Sequence, residues 1–212
     1  MSLDRKTELD CYRARKGEFR VVDVPSLTYL AVDGRGDPNT SPAYAEALGA
    51  LYPVVYTLRF AGKALGHDEV VMPLEALWWS DDMATFTTSR DKSRWSWTAM
   101  ILAPTWVDDS ALADAVAAVT REKDRPVGLE RVTLRTLHEG LCMQTLHVGP
   151  YDDEGPVLAR MHDHEIPAAG LRMTGHHHEI YLGDPRRTAP ERLRTILRQP
   201  VERGPRTTGC TA

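Results

Sequence analysis

The stretch LTYLAVDG, at residues 27–34, decides the fold, because a similar stretch, CMQTLHVG, occurs at residues 142–149. Each is typical of a β-strand that ends at a glycine, and each is followed by an acidic loop and a helical pattern. The repeated order of elements predicts an α+β chain with an internal duplication. The alternative is two unrelated α+β segments.

A second pair of stretches supports the duplication. LEAL at residues 74–77 matches HEIY at residues 178–181, and the match aligns Glu75 with Glu179. A glutamate at the same place in both halves is the main reason to prefer duplication over two unrelated segments.

The turn-forming residues 124–128 (DRPVG) predict the boundary between the halves. We therefore expect a first module over residues 18–124 and a second over 125–201, intertwined in one domain. Residues 202–212 are rich in Gly, Pro and Thr and predict a flexible tail.

Composition excludes several classes of protein. The 212 residues are 42% hydrophobic and 26% charged, with a net charge of −4 and no basic stripe, so we expect no nucleic-acid partner. Three widely spaced cysteines form no disulfide framework. No apolar run is long enough to span a bilayer and no signal peptide is recognisable, so the expected location is the cytoplasm, with no membrane partner.

Strand alternation predicts which side chains share a face. In the stretch 74–79, Glu75 and Trp79 lie on one face, and in the second half His177, Glu179 and Tyr181 lie together. If the two strands meet at a pseudo-two-fold axis, both glutamates and a ring of aromatic side chains face one cavity. Such a cavity suits a flat cation. The alternative is that each glutamate pairs with an arginine at a solvated sheet edge.

Five tryptophans lie close together in the sequence: Trp78, Trp79, Trp95, Trp97 and Trp106. Two or three are expected in the core, and one or two are expected to contact a ligand. Trp79, Trp95 and Trp97 are the candidates for the walls of the cavity.

The remaining polar motifs predict no cofactor and no metal. The run of histidines at residues 176–178 alternates between faces and cannot converge on one ion. No glycine-rich phosphate-binding pattern is present. In LHVGPY, turn chemistry explains the glycine and the proline but leaves His147 and Tyr151 as further candidate ligand-binding residues.

These motifs, in their order and spacing, resemble the GyrI-like small-molecule-binding family, in its stand-alone form without a DNA-binding domain. The resemblance is carried by YLAVDGRGDPN, LEALWW, LCMQTLHVGPYDDE, HHHEIYLGDPRR and LRTILRQPV, over residues 21–201. It implies two β-α-β-β modules related by a pseudo-two-fold axis. These form a mainly antiparallel sheet with helices on one side and a ligand groove between the modules.

The resemblance also implies roles for individual residues. Glu179 takes the position of a family glutamate that contacts cationic ligands, and Tyr181 is its neighbour. Some stand-alone members resemble hydrolases that open cyclopropane rings of DNA-alkylating compounds, in which a Glu activates water and a Tyr donates a hydrogen bond. Ala76 stands where glycine is expected in close relatives.

Three functions follow as hypotheses. The first is binding of planar aromatic or cationic compounds, in drug or toxin resistance. The second is cyclopropane hydrolysis, with Glu179 and Tyr181 as the catalytic residues. The third is a regulatory module that binds another protein, for which no exposed apolar stripe is readable in the sequence.

Overall fold

The computed structural model describes residues 2–82 and 91–204. The strands in these ranges are β1 (Arg20–Val24), β2 (Leu27–Arg35), β3 (Leu74–Trp79), β4 (Ser96–Leu102), β5 (Thr133–Leu137), β6 (Gly140–Val148), β7 (Leu171–Met173), β8 (His177–Tyr181) and β9 (Arg194–Arg203). The helices are α1 (Arg5–Glu8), α2 (Pro42–Ala64), α3 (Asp109–Thr120), α4 (Gly155–Arg160) and α5 (Ile166–Ala168). A π-helical segment, Met161–Glu165, joins α4 to α5.

The strands form one open sheet in the order β1-β6-β9-β8-β3-β4-β2-β5, and β7 pairs with β9. Every pairing between these strands is antiparallel. The α+β class and the mainly antiparallel sheet predicted from the sequence are therefore confirmed.

The order of the strands is the same on both sides of the sheet centre. Counted inward, β2-β4-β3 on one side corresponds to β6-β9-β8 on the other, and β3 pairs with β8 in the middle. A duplicated unit would produce this order. The division into modules at residues 124 and 125 stays a prediction.

Strands β1 and β5 each pair across the sheet rather than with the strand that follows them in the sequence. Only two residues separate β1 from β2, yet β1 pairs with β6; likewise β5 is close to β6 in sequence but pairs with β2. Three residue steps span at most about 10 Å, so the two ends of the sheet must come close together. The sheet is consequently strongly curled.

The longer helices pack on one face of the sheet, which we call the helix face. Helix α2 buries residues at helical spacing, including Ala47, Leu51, Val54 and Leu58. The stretch from α4 to α5 buries Met161 and Ile166 against Met143 and Leu197, which also point to the helix face. The N-terminal segment around Cys11 and Tyr12 covers part of the opposite face.

Some element boundaries differ from those predicted. The apolar spacing after Ser41 predicts a helix to about residue 60 with a kink or break at Pro53, but α2 continues through Pro53 without a break, because its packing against the sheet stabilises the residues on both sides. The sequence of residues 172–182 predicts one long strand, but the structure has two strands there, separated by a turn at Gly175 with φ of 58°.

Two predicted segments lie partly outside the described residues. Strand β9 extends to Arg203, two residues into the predicted tail, and the tail residues 205–212 are outside. The polar residues 81–94 predict the connection of a long hairpin between β3 and β4, and residues 83–90 of it are also outside. Among the described residues, no helix is long and apolar enough to cross a membrane.

Candidate functional site

Glu179 and Tyr181 lie together on the helix face of β8, as alternation predicted. The hydroxyl of Tyr181 donates a hydrogen bond of 2.6 Å to Oε2 of Glu179. Trp78, on the neighbouring strand β3, donates its indole N–H to the Tyr181 oxygen at 3.1 Å. Because Tyr181 has one proton, this chain orients that proton toward the carboxylate.

Aromatic rings surround this hydrogen-bonded chain. Tyr44, from the first turn of α2, stacks on Trp78 with ring centroids 5.9 Å apart and meets Trp97 edge-on at 4.9 Å. Trp95 meets Trp78 edge-on at 5.8 Å. We call the following residues the Glu179 cluster: Tyr44, Trp78, Trp95, Trp97, Tyr151, Glu179 and Tyr181.

Tyr151 adds a ring from the second half of the chain. Its centroid lies 5.4 Å from that of Tyr181, in an edge-on arrangement. His147 fixes the loop before Tyr151, because Nε2 of His147 lies 3.0 Å from the carbonyl oxygen of Pro150. A carbonyl only accepts, so Nε2 of His147 carries the proton. His147 thus supports Tyr151 through the backbone.

Trp97 is held under the cluster by the absence of a side chain at Gly34. The two residues are directly opposite in the β2–β4 pairing, and a Cβ on Gly34 would lie 2.1 Å from the Trp97 ring. The glycine that ends LTYLAVDG is therefore required by close packing on the indole. Trp97 itself is fully buried, so it supports the other rings from below.

The phenols of the cluster stay protonated at neutral pH. Burial, together with the charge of Glu179, raises the pKa of both Tyr44 and Tyr181. Burial and the charges of Glu154 and Glu179 raise the pKa of Tyr151 to about 12. The Glu179 side chain retains 14% of its exposure, so solvent or a ligand can reach the carboxylate.

Two histidines lie beside Glu179 on the side of the π-helical segment. Nε2 of His177 is 3.4 Å from Oε1 of Glu179, and the ring of His162 is 6.2 Å from that of His177. Burial and the neighbouring His177 lower the pKa of His162 to about 4, so His162 is neutral at pH 7. Glu179 therefore has the aromatic rings of the cluster on one side and the two imidazoles on the other.

A cavity of about 660 Å³ opens beside the cluster. Three aspartates, Asp37, Asp91 and Asp152, contribute to its lining. Lys92 also lines it. The Lys92 ammonium forms a 3.0 Å ion pair with Asp152 and lies 5.8 Å from the centroid of the Trp95 ring. A cation from the protein thus occupies the aromatic face nearest the cavity.

Glu75 does not share this site. In the β3–β8 pairing Ala76 is opposite Glu179, so Glu75 points to the other face of the sheet, where it is fully buried. The expectation that Glu75 and Glu179 face one cavity is therefore wrong, because the two strands pair one residue away from the register which would align the glutamates. Trp79 is on the same side as Glu75 and stacks on His176 at 4.4 Å.

Glu75 belongs to a second group of charged residues behind β8, which we call the buried cluster: Tyr12, Glu75, Glu139, His178 and Arg198. The hydroxyl of Tyr12 donates to Glu75. The two ring nitrogens of His178 lie 3.0 Å from carboxylate oxygens of Glu75 and Glu139. Arg198 donates to Glu139 at 2.9 Å.

The buried cluster is neutral overall when His178 is protonated. Burial would lower the pKa of His178, but Glu139 and Glu75 outweigh it and raise the pKa. Burial would raise the pKa of Glu139, but His178 and Arg198 lower it to about 2. Two carboxylates and two cations then balance within a fully enclosed site.

Sequence reasoning missed two members of the Glu179 cluster, Tyr44 and Trp78. Alternation places Trp78 on the face of β3 that does not carry Glu75, so the missing information was the register between β3 and β8. Tyr44 fits the apolar spacing of a helix that begins after Ser41, and this pattern gives no sign of a role in the site. Within the described residues, no group of three or more His, Cys, Asp or Glu side chains could hold a metal ion.

A curled antiparallel sheet, with a carboxylate among aromatic rings on its helix face, defines an α+β domain of the small-molecule-binding class. Residues 17–202 match the model of the GyrI-like small molecule binding domain, so the chain belongs to the GyrI-like family. No match was found among functionally curated proteins.

Three solved structures from Listeria innocua resemble this chain over 95% of its length and 100% of theirs. An uncharacterised conserved protein is 38% identical, with a TM-score of 0.85. Two proteins described as hydrolases are 36% and 35% identical, with TM-scores of 0.79 and 0.81. The family and the fold of the chain are thereby shown.

Proposed function

We propose that the protein binds a small, planar aromatic or cationic molecule against the Glu179 cluster, in the groove between the two halves, as a means of drug or toxin resistance. The observation that carries the proposal is an accessible carboxylate, Glu179, bordered by the rings of Trp78, Tyr44 and Tyr151. Ring faces attract a flat cation, and the carboxylate neutralises it where the dielectric constant is low.

The electrostatics of the groove support a cationic ligand. The Glu179 carboxylate has no arginine or lysine within ion-pair distance among the described residues, and its nearest basic neighbour is His177 at 3.4 Å. The adjoining cavity contains three aspartates and Lys92. A ligand cation can therefore replace the Lys92 ammonium near Trp95.

Fluorescence titration tests this binding. We expect ethidium- and rhodamine-like cations to quench tryptophan emission with a Kd of about 1–10 µM. Glu179→Gln should weaken binding by about 10- to 100-fold, since it removes the charge and keeps the shape. Glu130→Gln, at an exposed glutamate remote in sequence from the cluster, is the matched control. Unchanged fluorescence with several such dyes and a folded protein would contradict the proposal.

A second candidate function is hydrolysis of a strained ring, favoured by the Tyr181–Glu179 hydrogen bond and by the two Listeria proteins described as hydrolases. In a cyclopropane conjugated to a carbonyl, water would attack a ring carbon while Glu179 takes a proton from the water. The ring C–C bond breaks, and its electron pair moves to the carbonyl oxygen, which is then protonated.

Tyr181 can assist only after a rearrangement. Its single proton is donated to Glu179, so the hydroxyl must turn toward the substrate oxygen before it can stabilise charge there. The same rotation of the hydroxyl removes its hydrogen bond to Glu179, which can then act as the base. Substrate binding and activation of the carboxylate are coupled in this scheme.

Mass spectrometry tests the hydrolase hypothesis. Incubation with a cyclopropane-bearing alkylator should give a product heavier by one water, and Glu179→Gln should lower the rate by at least about 100-fold. Glu130→Gln again serves as the control. An unmodified compound, recovered after incubation with a protein that binds it, would leave binding alone as the function.

A further inference from the structure

A separate cavity of about 210 Å³ is lined by residues of α4, of the end of β6, including His147, and of the segment before β1, and by no member of the Glu179 cluster. We propose that it is a binding site for a small monocarboxylate with an apolar body. The helical stretch that begins with α4 also approaches the Glu179 cluster, through the contact of His162 with His177.

The cavity exists because the sheet has an open edge there. Strand β1 pairs with β6 only as far as Gln144, so residues 145–148 have β9 on one side and no strand on the other. The N–H of Leu146 points outward to the carbonyl of Arg15. Because alternate residues of a strand direct their N–H groups to the same side, that of Val148 also points to this edge.

The walls of the cavity are mainly apolar. Phe19, Val148, Pro156 and Val157 contribute to them. The volume is below the range of about 300–1,000 Å³ that is typical of drug-sized sites. The occupant is therefore a small molecule with a hydrocarbon or single-ring body.

One buried polar group in the cavity lacks a protein partner. Thr145 lines the cavity and is 1% exposed, and its hydroxyl has no hydrogen-bond partner among the described residues. A buried hydroxyl without a partner is costly, so a polar ligand atom at this position would be stabilising.

The charge at the cavity selects an anion. Lys16 and Arg160 contribute to the lining, and none of the lining residues is acidic. Arg160 lies 4.9 Å from the centre of the Phe19 ring and pairs with Glu165, whereas Lys16 forms no ion pair within the described part of the chain. A carboxylate can reach the Lys16 ammonium and the Thr145 hydroxyl while its body contacts the apolar wall.

Benzoate is a suitable probe, and the whole chain labelled with ¹⁵N is the sample. We expect saturable shifts of the amide signals of Gly17, Thr145 and Val148, with a Kd of about 0.1–1 mM for so small a ligand. Benzyl alcohol, the neutral counterpart, should bind at least about ten-fold more weakly because it lacks the charge.

Four variants make the test decisive. Lys16→Gln and Thr145→Val should each weaken benzoate binding by about three- to ten-fold. Val157→Trp should abolish it by filling the cavity, and Lys63→Gln, which removes a lysine from α2, should leave it unchanged. The signals of each variant also report whether it is folded.

Three results would overturn the proposal: no shifts at about 10 mM benzoate, which is far above the expected Kd; equal binding of benzyl alcohol; or unchanged binding to folded Val157→Trp. Glu179→Gln should bind benzoate as the parent does. If that variant alone lost benzoate, the ligand would occupy the groove and the separate site would be rejected. Loss of cation binding with benzoate binding intact would count only against the groove proposal.

Discussion

Glu75 and Glu179 occupy neighbouring strands and looked equivalent in the sequence, but the structure gives them opposite environments. Glu75 is fully buried among Tyr12, His178 and Arg198, whereas Glu179 keeps contact with solvent and has aromatic neighbours. A carboxylate whose charge is balanced inside the protein contributes to the fold. A carboxylate without a cationic residue beside it is available to a ligand.

The largest expected effect comes from breaking the charge balance of the buried cluster. Arg198→Met leaves Glu139 without its guanidinium in an enclosed site, and we expect the free energy of unfolding to fall by about 3–5 kcal/mol. Arg194→Met, at an exposed position of the same strand, is the control and should change stability by less than about 0.5 kcal/mol. Urea denaturation measures both. Equal stability of the two variants would show that the buried cluster contributes little.

Substituting each glutamate separates their two roles. Glu75→Gln removes a charge that His178 contacts, and should lower the free energy of unfolding by about 1–3 kcal/mol. Glu179→Gln should change it by at most about 1 kcal/mol, because this carboxylate has no buried cation to balance. Thermal and urea unfolding of both variants decide the point. A larger loss for Glu179→Gln would reverse our assignment.

The pH dependence of stability should also come from the buried cluster. His178 has a folded-state pKa above its usual value of 6.5, so its contribution is complete below about pH 6.5 and is lost as the pH rises through the folded-state pKa. Glu139 has a pKa of about 2 against a usual value of 4.5, so its contribution is complete above pH 4.5 and is lost as the pH falls toward 2.

These two groups together predict maximum stability between about pH 4.5 and 6.5. Urea denaturation over a pH series measures the profile. His178→Gln should remove the decline on the alkaline side, and it should also make the acidic decline smaller, because His178 contributes with Arg198 to the low pKa of Glu139. If the alkaline decline persisted in this variant, another group would be responsible.

The smallest effect is expected at the cavity beside the Glu179 cluster. Lys92 is partly exposed, and its ion pair with Asp152 should contribute less than about 1 kcal/mol. Lys92→Met should therefore leave stability unchanged and increase affinity for a cationic dye by about two- to five-fold, because the competing ammonium is gone. Lys123→Met is the control. A weaker dye complex would indicate that Lys92 contributes to binding.

The sequence was sufficient for the fold class and for one half of the candidate site. Alternation in HHEIY placed His177, Glu179 and Tyr181 on one face correctly, because strand periodicity is a local property. It could not show which residue of LEALWW stands opposite Glu179. That register depends on pairing between strands almost 100 residues apart in the chain. A shift of the register by one residue would bring Glu75 and Trp79, instead of Ala76 and Trp78, to the face that carries Glu179.

The buried cluster was not predictable for a similar reason. Tyr12, Glu139 and Arg198 come from three distant segments, and each is unremarkable in its local sequence. Tyr12 lies in the charged N-terminal stretch of residues 1–17, which predicts a polar lead-in. Only the tertiary structure shows that it covers the opposite face of the sheet and donates to Glu75.

The exchange of β1 and β5 has a consequence for how the molecule comes apart. Each half supplies a strand to the far edge of the other, so neither half retains a complete sheet if the two separate. Because of this strand exchange, a partly open form with one intact half is disfavoured. Unfolding should then be all-or-none, and folding should be slow, since these pairings must wait until most of the chain is in place.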